Sequence, residues 1–343
     1  MNSKTTHLPV FISLIVGVIV LFFINVSLGS ISIPIDAILS ILCDDASVKS
    51  SWQHIILDYR IPKAVTSILV GSGLGTAGLL MQTLFRNPLA GPYVLGLSSG
   101  ASLGVAIVIL GSSLFGVGFA SLFLSKWSVV IASSLGSFLV LLAVIIMSLK
   151  VKDTMAVLII GLMFASVTAS IVSVLSYFSS EEELQRYIFW SFGSLGNLAT
   201  DELSILAILT ITGLLLALTS IKSLNSLLLG DQYAKSMGLN IKKARLIIIT
   251  ATSLLAGSVT AFVGPIAFIG LAVPHLTKLF FNTSNHKILV PAVMLSGGIL
   301  LLICDSISQL PMSELTLPIN AVTSLFGAPV VIWLLVRKKK LFV

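Results

Sequence analysis

The sequence predicts an all-α, polytopic membrane protein of ten transmembrane helices with both termini on the cytoplasmic side. Three observations predict it. Of 343 residues, 56% are hydrophobic and only 10% charged, against about a quarter charged in soluble domains. The apolar residues fall in runs of membrane length, not in the alternating segments of about ten residues that build a barrel. The third observation is charge segregation. With ten spans starting inside, Lys4, Arg86, Lys150, Lys152, Lys222, Lys235, Lys242, Lys243, Arg245, Lys278, Lys287 and Arg337 to Lys340 lie inside, which is 15 of the 20 basic residues. Only Asp153 and Asp231 join them, leaving 11 of the 13 acids outside. Positive charge marks the cytoplasmic face, and a wrong span count would scramble this division. The net charge of +7 is therefore a topology signal. No basic patch with interleaved aromatics argues for nucleic acid.

The ten expected spans lie near 9–29, 63–83, 93–112, 129–149, 155–178, 203–221, 244–263, 266–281, 288–308 and 319–336. Residues 1–343 read as a single transmembrane domain, with 222–243 as a cytoplasmic insertion. The first run shows no small-residue cleavage site and reads as a retained span. Residues 30–59 read as an outer loop. Arg60-Ile61-Pro62-Lys63 follows at the outer mouth of the second span, where Pro suits a first helical turn. Its cations are either interfacial anchors or salt-bridge partners for an acidic protein docking from outside. Within that span Gly73-Leu74-Gly75-Thr76-Ala77-Gly78 spells GxGxxG. The string lacks the strand a dinucleotide site needs and reads as a helix-packing surface. No P-loop occurs anywhere.

Arg86 to Pro92 makes a short inner turn, and the next run carries Ser98, Ser99, Gly100, Ser102 and Gly104. After the turn at Lys150 to Met155, the fifth span holds Ser166, Ser170 and Ser173 on one helical face. These hydroxyls either line a weakly polar path or bond their own backbone. Glu181 to Trp190 reads as an amphipathic helix on the outer surface. In the inner insertion, Asp231 is expected to cap a helix from Gln232 to Met237 that Gly238 ends. That helix offers Tyr233, Ala234 and Met237 to a cleft on a soluble partner. Gly264-Pro265 separates the seventh span from the eighth, where His275 reads as a structural hydrogen-bonder. Asp305 to Pro318 reads as an outer connection. Cys43 and Cys304 have neither disulfide nor metal spacing.

Five ordered motifs then carry a resemblance: RIPKAV at 60–65, MQTLFRNPLAGPYVLGLSSGASLG at 81–104, LGDQYAKSMGLN at 229–240, GPIAFIGLAVPH at 264–275 and LPINAVTSLFGAPVVIWLL at 317–335. Together they resemble the permease subunits of ATP-binding-cassette importers for ferric siderophores, haem and cobalamin. The resemblance implies a homodimer with the pathway on its two-fold axis, two ATPase subunits inside and a binding protein outside. ATP would be used by the partners, with no cofactor, metal or catalytic residue on this chain. It implies that Asp231, Tyr233, Ala234, Ser236, Met237 and Gly238 couple to the ATPase. Thr154 and Met155 would match the cytoplasmic gate, and Ser166, Ser170 and Ser173 would lie on the helix lining the path. Arg60 and Lys63 would hold glutamates of the binding protein. The family's cobalamin member places a further docking arginine where this chain has Gln309, so docking here is expected to rest on fewer salt bridges. Ferric siderophore is the expected cargo, with cobalamin or haem as the alternative. The rival classes are an ion-coupled carrier, which needs ionisable groups at membrane depth, and a membrane enzyme, which needs a catalytic dyad there.

Overall fold

The computed structural model describes residues 7–29, 31, 33–43, 48–111, 125–151, 154–196, 198–310 and 315–338. Lys4, Asp44, Asp45, Lys152, Asp153, Lys339 and Lys340 lie outside the described residues. Among the described residues all regular structure is helical: α1 (Leu8–Ser27), α2 (Ile35–Leu42), α3 (Ser50–His54), a π-helical turn (Ile55–Arg60), α4 (Ile61–Leu84), a 3-10 turn (Pro92–Leu95), α5 (Leu97–Ile109), α6 (Lys126–Lys150), α7 (Thr154–Phe178), α8 (Glu181–Ser191), α9 (Thr200–Thr219), α10 (Ile221–Leu228), α11 (Asp231–Ser236), α12 (Ile241–Val263), α13 (Ile269–Phe281), α14 (His286–Ser308) and α15 (Ile319–Lys338). Seven helical runs among the described residues are long and apolar enough to cross a membrane, and α5, α13 and α15 are shorter apolar helices at the positions of the other three expected spans.

The core is built around α4. The best window of its run is 83% buried, whereas the α1 and α7 windows are only 11% and 17% buried. Small residues explain the difference. A Cβ added at Gly78 would lie 1.7 Å from the Gly270 carbonyl oxygen, and one at Gly71 would lie 2.1 Å from that of Gly297. Backbones of α4, α13 and α14 therefore touch directly, the close approach that small residues permit in apolar surroundings. Helices α9 and α12 complete the ring around α4, while α5 packs with α6 and α7 beside it. The GxGxxG string lies wholly inside α4 and is buried there, as the packing reading expects.

Several expectations are corrected. Residues 30–59 are no plain loop: α2 and α3 occupy much of that stretch, and α3 runs through the π turn straight into α4. Pro62 lies in the first turn of α4, as expected, with the π turn leading directly into it. Its missing N–H removes one ladder bond, and the wider π turn lies just before it. The run expected at 93–112 is helical only from Leu97, because Gly96 adopts a left-handed conformation after the 3-10 turn. Asp305 belongs to the last turn of α14, not to the connection after it. The surface helix α8 is present, and Ser180 with Glu183 closes a capping box at its start.

Candidate functional site

Two polar clusters sit at opposite ends of α4, separated by its 24 residues, or about 36 Å at 1.5 Å per residue. The first gathers Arg60, Lys63 and Gln309, which all line one cavity of about 730 Å³ together with Asp305, Tyr59 and Phe192. Arg60 turns inward. One guanidinium nitrogen donates to the carbonyls of Val26 and Ser27 at 2.9 Å each, and the other donates to Ile31. Helix ends leave carbonyls without internal partners and carry partial negative charge, so Arg60 caps the end of α1.

Lys63 is also engaged. Its Nζ lies 3.1 Å from Asp305 Oδ1, whose side chain is 1% exposed. The other carboxylate oxygen accepts from Asn25 Nδ2 and Gln309 Nε2, both at 2.9 Å. Gln309 therefore supplies a neutral donor to an internal acid, and Lys63 supplies the counter-charge. A buried charge is tolerable only when paired and hydrogen-bonded, and here both conditions hold. Asn25 and Asp305 bring α1, α4 and α14 into one polar knot that sequence reading missed. The four-residue step from Asp305 to Gln309 was the available signal.

The second cluster holds the insertion. Asp231 does not cap α11 from outside. Gly230 is the N-cap, and Asp231 is the first helical residue. Its Oδ2 accepts from Arg245 at 3.1 Å, and its Oδ1 lies 3.7 Å from Arg86. The carboxylate has therefore been diverted from the helix end to two arginines. Gly230 (φ 100) is required by its backbone, which strains any side chain, and the Arg86 guanidinium lies 3.3 Å from where a Cβ would stand. Met237 closes α11 and Gly238 (φ 84) follows in the left-handed region, so that end matches expectation. Ala234 is buried, while Tyr233, Ser236 and Met237 face outward beside exposed Leu228 and Leu229.

A neutral chain of bonds runs alongside. Asn225 Oδ1 accepts from the His286 backbone and faces His286 Nδ1 at 2.9 Å. An acceptor there places the ring proton on Nδ1, and His286 Nε2 lies 2.8 Å from Thr83 Oγ1 near the end of α4. His275 Nε2 meets the Pro88 carbonyl at 2.8 Å, the structural role expected of it.

The remaining expected residues lie on α7. Thr154 begins that helix, and its side chain lies outside the described set; Met155 is exposed. Ser166, Ser170 and Ser173 form an exposed stripe, and each hydroxyl donates to the carbonyl four residues back at 3.0–3.1 Å. Their lone pairs remain available on that face. Among the described residues no group of three or more His, Cys, Asp or Glu could hold a metal ion.

The five motifs thus fall on two end clusters and the contacts of α4, and the whole chain can be set beside known proteins. The FecCD transport family matches residues 17–337. The chain belongs to the FecCD transport family. This FecCD chain is 31% identical over 329 residues to the hemin transport system permease protein HmuU of Yersinia pestis, covering 95% of this chain and 96% of that one. It is 33% identical over 293 residues to the vitamin B12 import system permease protein BtuC of Klebsiella pneumoniae, covering 85% of this chain and 85% of that one. A solved inward-facing structure of a metal-chelate type ABC transporter superposes with a TM-score of 0.83 at 27% identity, covering 96% of this chain and 99% of that one. The FecCD chain is accordingly a multi-pass, non-enzymatic permease component of an ABC importer.

Proposed function

We propose that the chain carries a ferric siderophore, or a related chelate such as haem or cobalamin, through the inner (cytoplasmic) membrane, driven by ATP that separate subunits hydrolyse. The observation that carries the reading is the near full-length match to haem and B12 permeases. In this reading 1–343 forms one domain of ten spans with cytoplasmic termini, embedded in lipid and working as a homodimer. Two ATPase subunits sit at the Asp231 end and a substrate-binding protein at the Arg60 end. The chain itself holds no cofactor, no metal and no catalytic group, and it binds no nucleic acid.

Exposure and burial support these roles. The outward face of α11, with Tyr233, Ser236 and Met237 beside Leu228 and Leu229, offers an apolar patch to an ATPase cleft, while buried Ala234 seats the helix and Gly238 ends it. Thr154 and Met155 form the cytoplasmic gate at the start of α7. The stripe of Ser166, Ser170 and Ser173 lines the path, since self-bonded hydroxyls present a wetted but uncharged wall. Arg60, Lys63 and Gln309 line the cavity that receives the binding protein. Ionic docking there must share Lys63 with Asp305, and Arg60 with the end of α1.

An ion-coupled carrier is the rival. Among the described residues, Asp, Glu, Lys and Arg of the apolar helices fall within the first or last two turns, so no ionisable relay crosses the middle. The deciding experiment purifies the chain with its co-expressed ATPase and reconstitutes both with the binding protein. Labelled ferric siderophore, haem and cobalamin then compete for uptake. Co-purification with saturable uptake of one chelate is expected; failure of all three to enter would overturn the reading.

A further inference from the structure

The Asp231 cluster joins three elements that are distant in sequence, and its geometry suits more than holding a loop in place. Arg86 lies just past the end of α4 in a left-handed conformation (φ 47), which is uncommon for a residue with a side chain. The helix end itself sets that conformation: the Arg86 N–H donates to the Thr83 carbonyl and the Asn87 N–H to the Gln82 carbonyl, the Schellman closure of α4. That closure leaves the Arg86 guanidinium 3.7 Å from Asp231 Oδ1. Arg245, on α12, is largely buried and holds the other carboxylate oxygen. One acid on α11 thereby pairs with the turn that ends α4 and with α12, the two most buried long helices of the fold.

At its other end α4 bears Lys63, fastened to the buried Asp305 of α14. A stiff helix with one charged fastening at each end transmits displacement along its axis, because packed backbones such as those at Gly78 and Gly270 shift together or not at all. Resting on the reading of α11 as the ATPase-docking helix, we propose that Asp231, through Arg86 and Arg245, is the positioning residue that passes movement of α11 to α4 and α12, and along α4 to the Arg60 end. The face of α11 that meets the ATPase and the side chain that grips the core are therefore different residues, so docking and transmission are separable by mutation.

The permease–ATPase complex in nanodiscs tests this without any cargo. Cys43 is exposed near the Arg60 end and Cys304 is buried, so a thiol-reactive, environment-sensitive fluorophore placed on the folded complex reports from Cys43. Wild type is expected to show an ATP-dependent change in emission. Arg86→Gln, outside the docking helix, should retain ATPase association and turnover within about 2-fold but lose most of the emission change. Asp231→Asn, which keeps the side chain's shape and removes its charge, should lose the emission change alike, and the double variant should be no worse than Asp231→Asn alone, as for residues in one network. An undiminished emission change in Asp231→Asn, or no change in wild type, would overturn the proposal. So would loss of turnover in parallel with the signal in Arg86→Gln, which marks a docking or folding role. Failure of wild type to bind an ATPase at all would instead overturn the reading of α11.

Discussion

The two ends of α4 solve the same problem, fastening a charged group to a buried rod, in opposite ways. At the Arg60 end the acid is inside: Asp305 is 1% exposed and surrounded by Lys63, Asn25 and Gln309. At the Arg86 end the acid is at the rim: Asp231 is 31% exposed and Arg86 47% exposed. A dry ion pair is costly to break because its surviving member stays buried, whereas a wet one contributes little to stability. The Arg60 end is accordingly a lock and the Arg86 end a joint. An importer driven from its cytoplasmic face needs that distribution, with compliance where the ATPase engages and rigidity where α1 and α14 are held to the core.

The largest expected effect breaks the lock. Lys63→Met leaves Asp305 without its counter-charge and should cost about 3 kcal/mol, seen as a lowered unfolding midpoint in detergent. Adding Asp305→Asn should recover most of that loss. Next, Arg60→Gln removes charge-assisted bonds that cap α1, at a cost of about 2 kcal/mol, with faster amide exchange confined to the end of α1 and to α2. At the joint, Arg86→Gln should change stability by less than about 1 kcal/mol, a difference that sharpens the contrast if the same variant cripples transmission. The smallest effect comes from salt. Raising ionic strength from about 0.1 M to about 1 M shortens the screening length from about 10 Å to about 3 Å. Exchange in α11 should quicken, while the last turn of α14 stays unchanged; equal responses at both ends would erase the distinction.

The same contrast marks what the sequence made legible. Membrane-length apolar runs predict helices by local composition, and their positions needed no knowledge of packing. Gly73 to Gly78 reads correctly as a packing face because glycine in an apolar helix has few other uses. The start of α11 was misread for a non-local reason: an acid before a short helix is ordinarily a cap, but Arg245 lies 14 residues away and Arg86 lies far off in the turn after α4. Asp305 looked like loop polarity because its partners, Asn25 and Lys63, come from the first spans. Cations at the mouth of a helix suggest outward docking by composition alone, yet their geometry turns them inward first. Helical stretches between 35 and 60 were hidden by their shortness, since the eight residues of α2 are too few to span and α3 is polar.

The central claim, ATP-driven import through this fold, meets its most direct test in sealed proteoliposomes. The permease, its ATPase and its binding protein are reconstituted, and labelled chelate uptake is followed with ATP on the ATPase side or with an imposed proton or sodium gradient. Uptake that requires ATP and ignores the gradient is the predicted result. Uptake driven by the gradient in the absence of ATP would contradict the account.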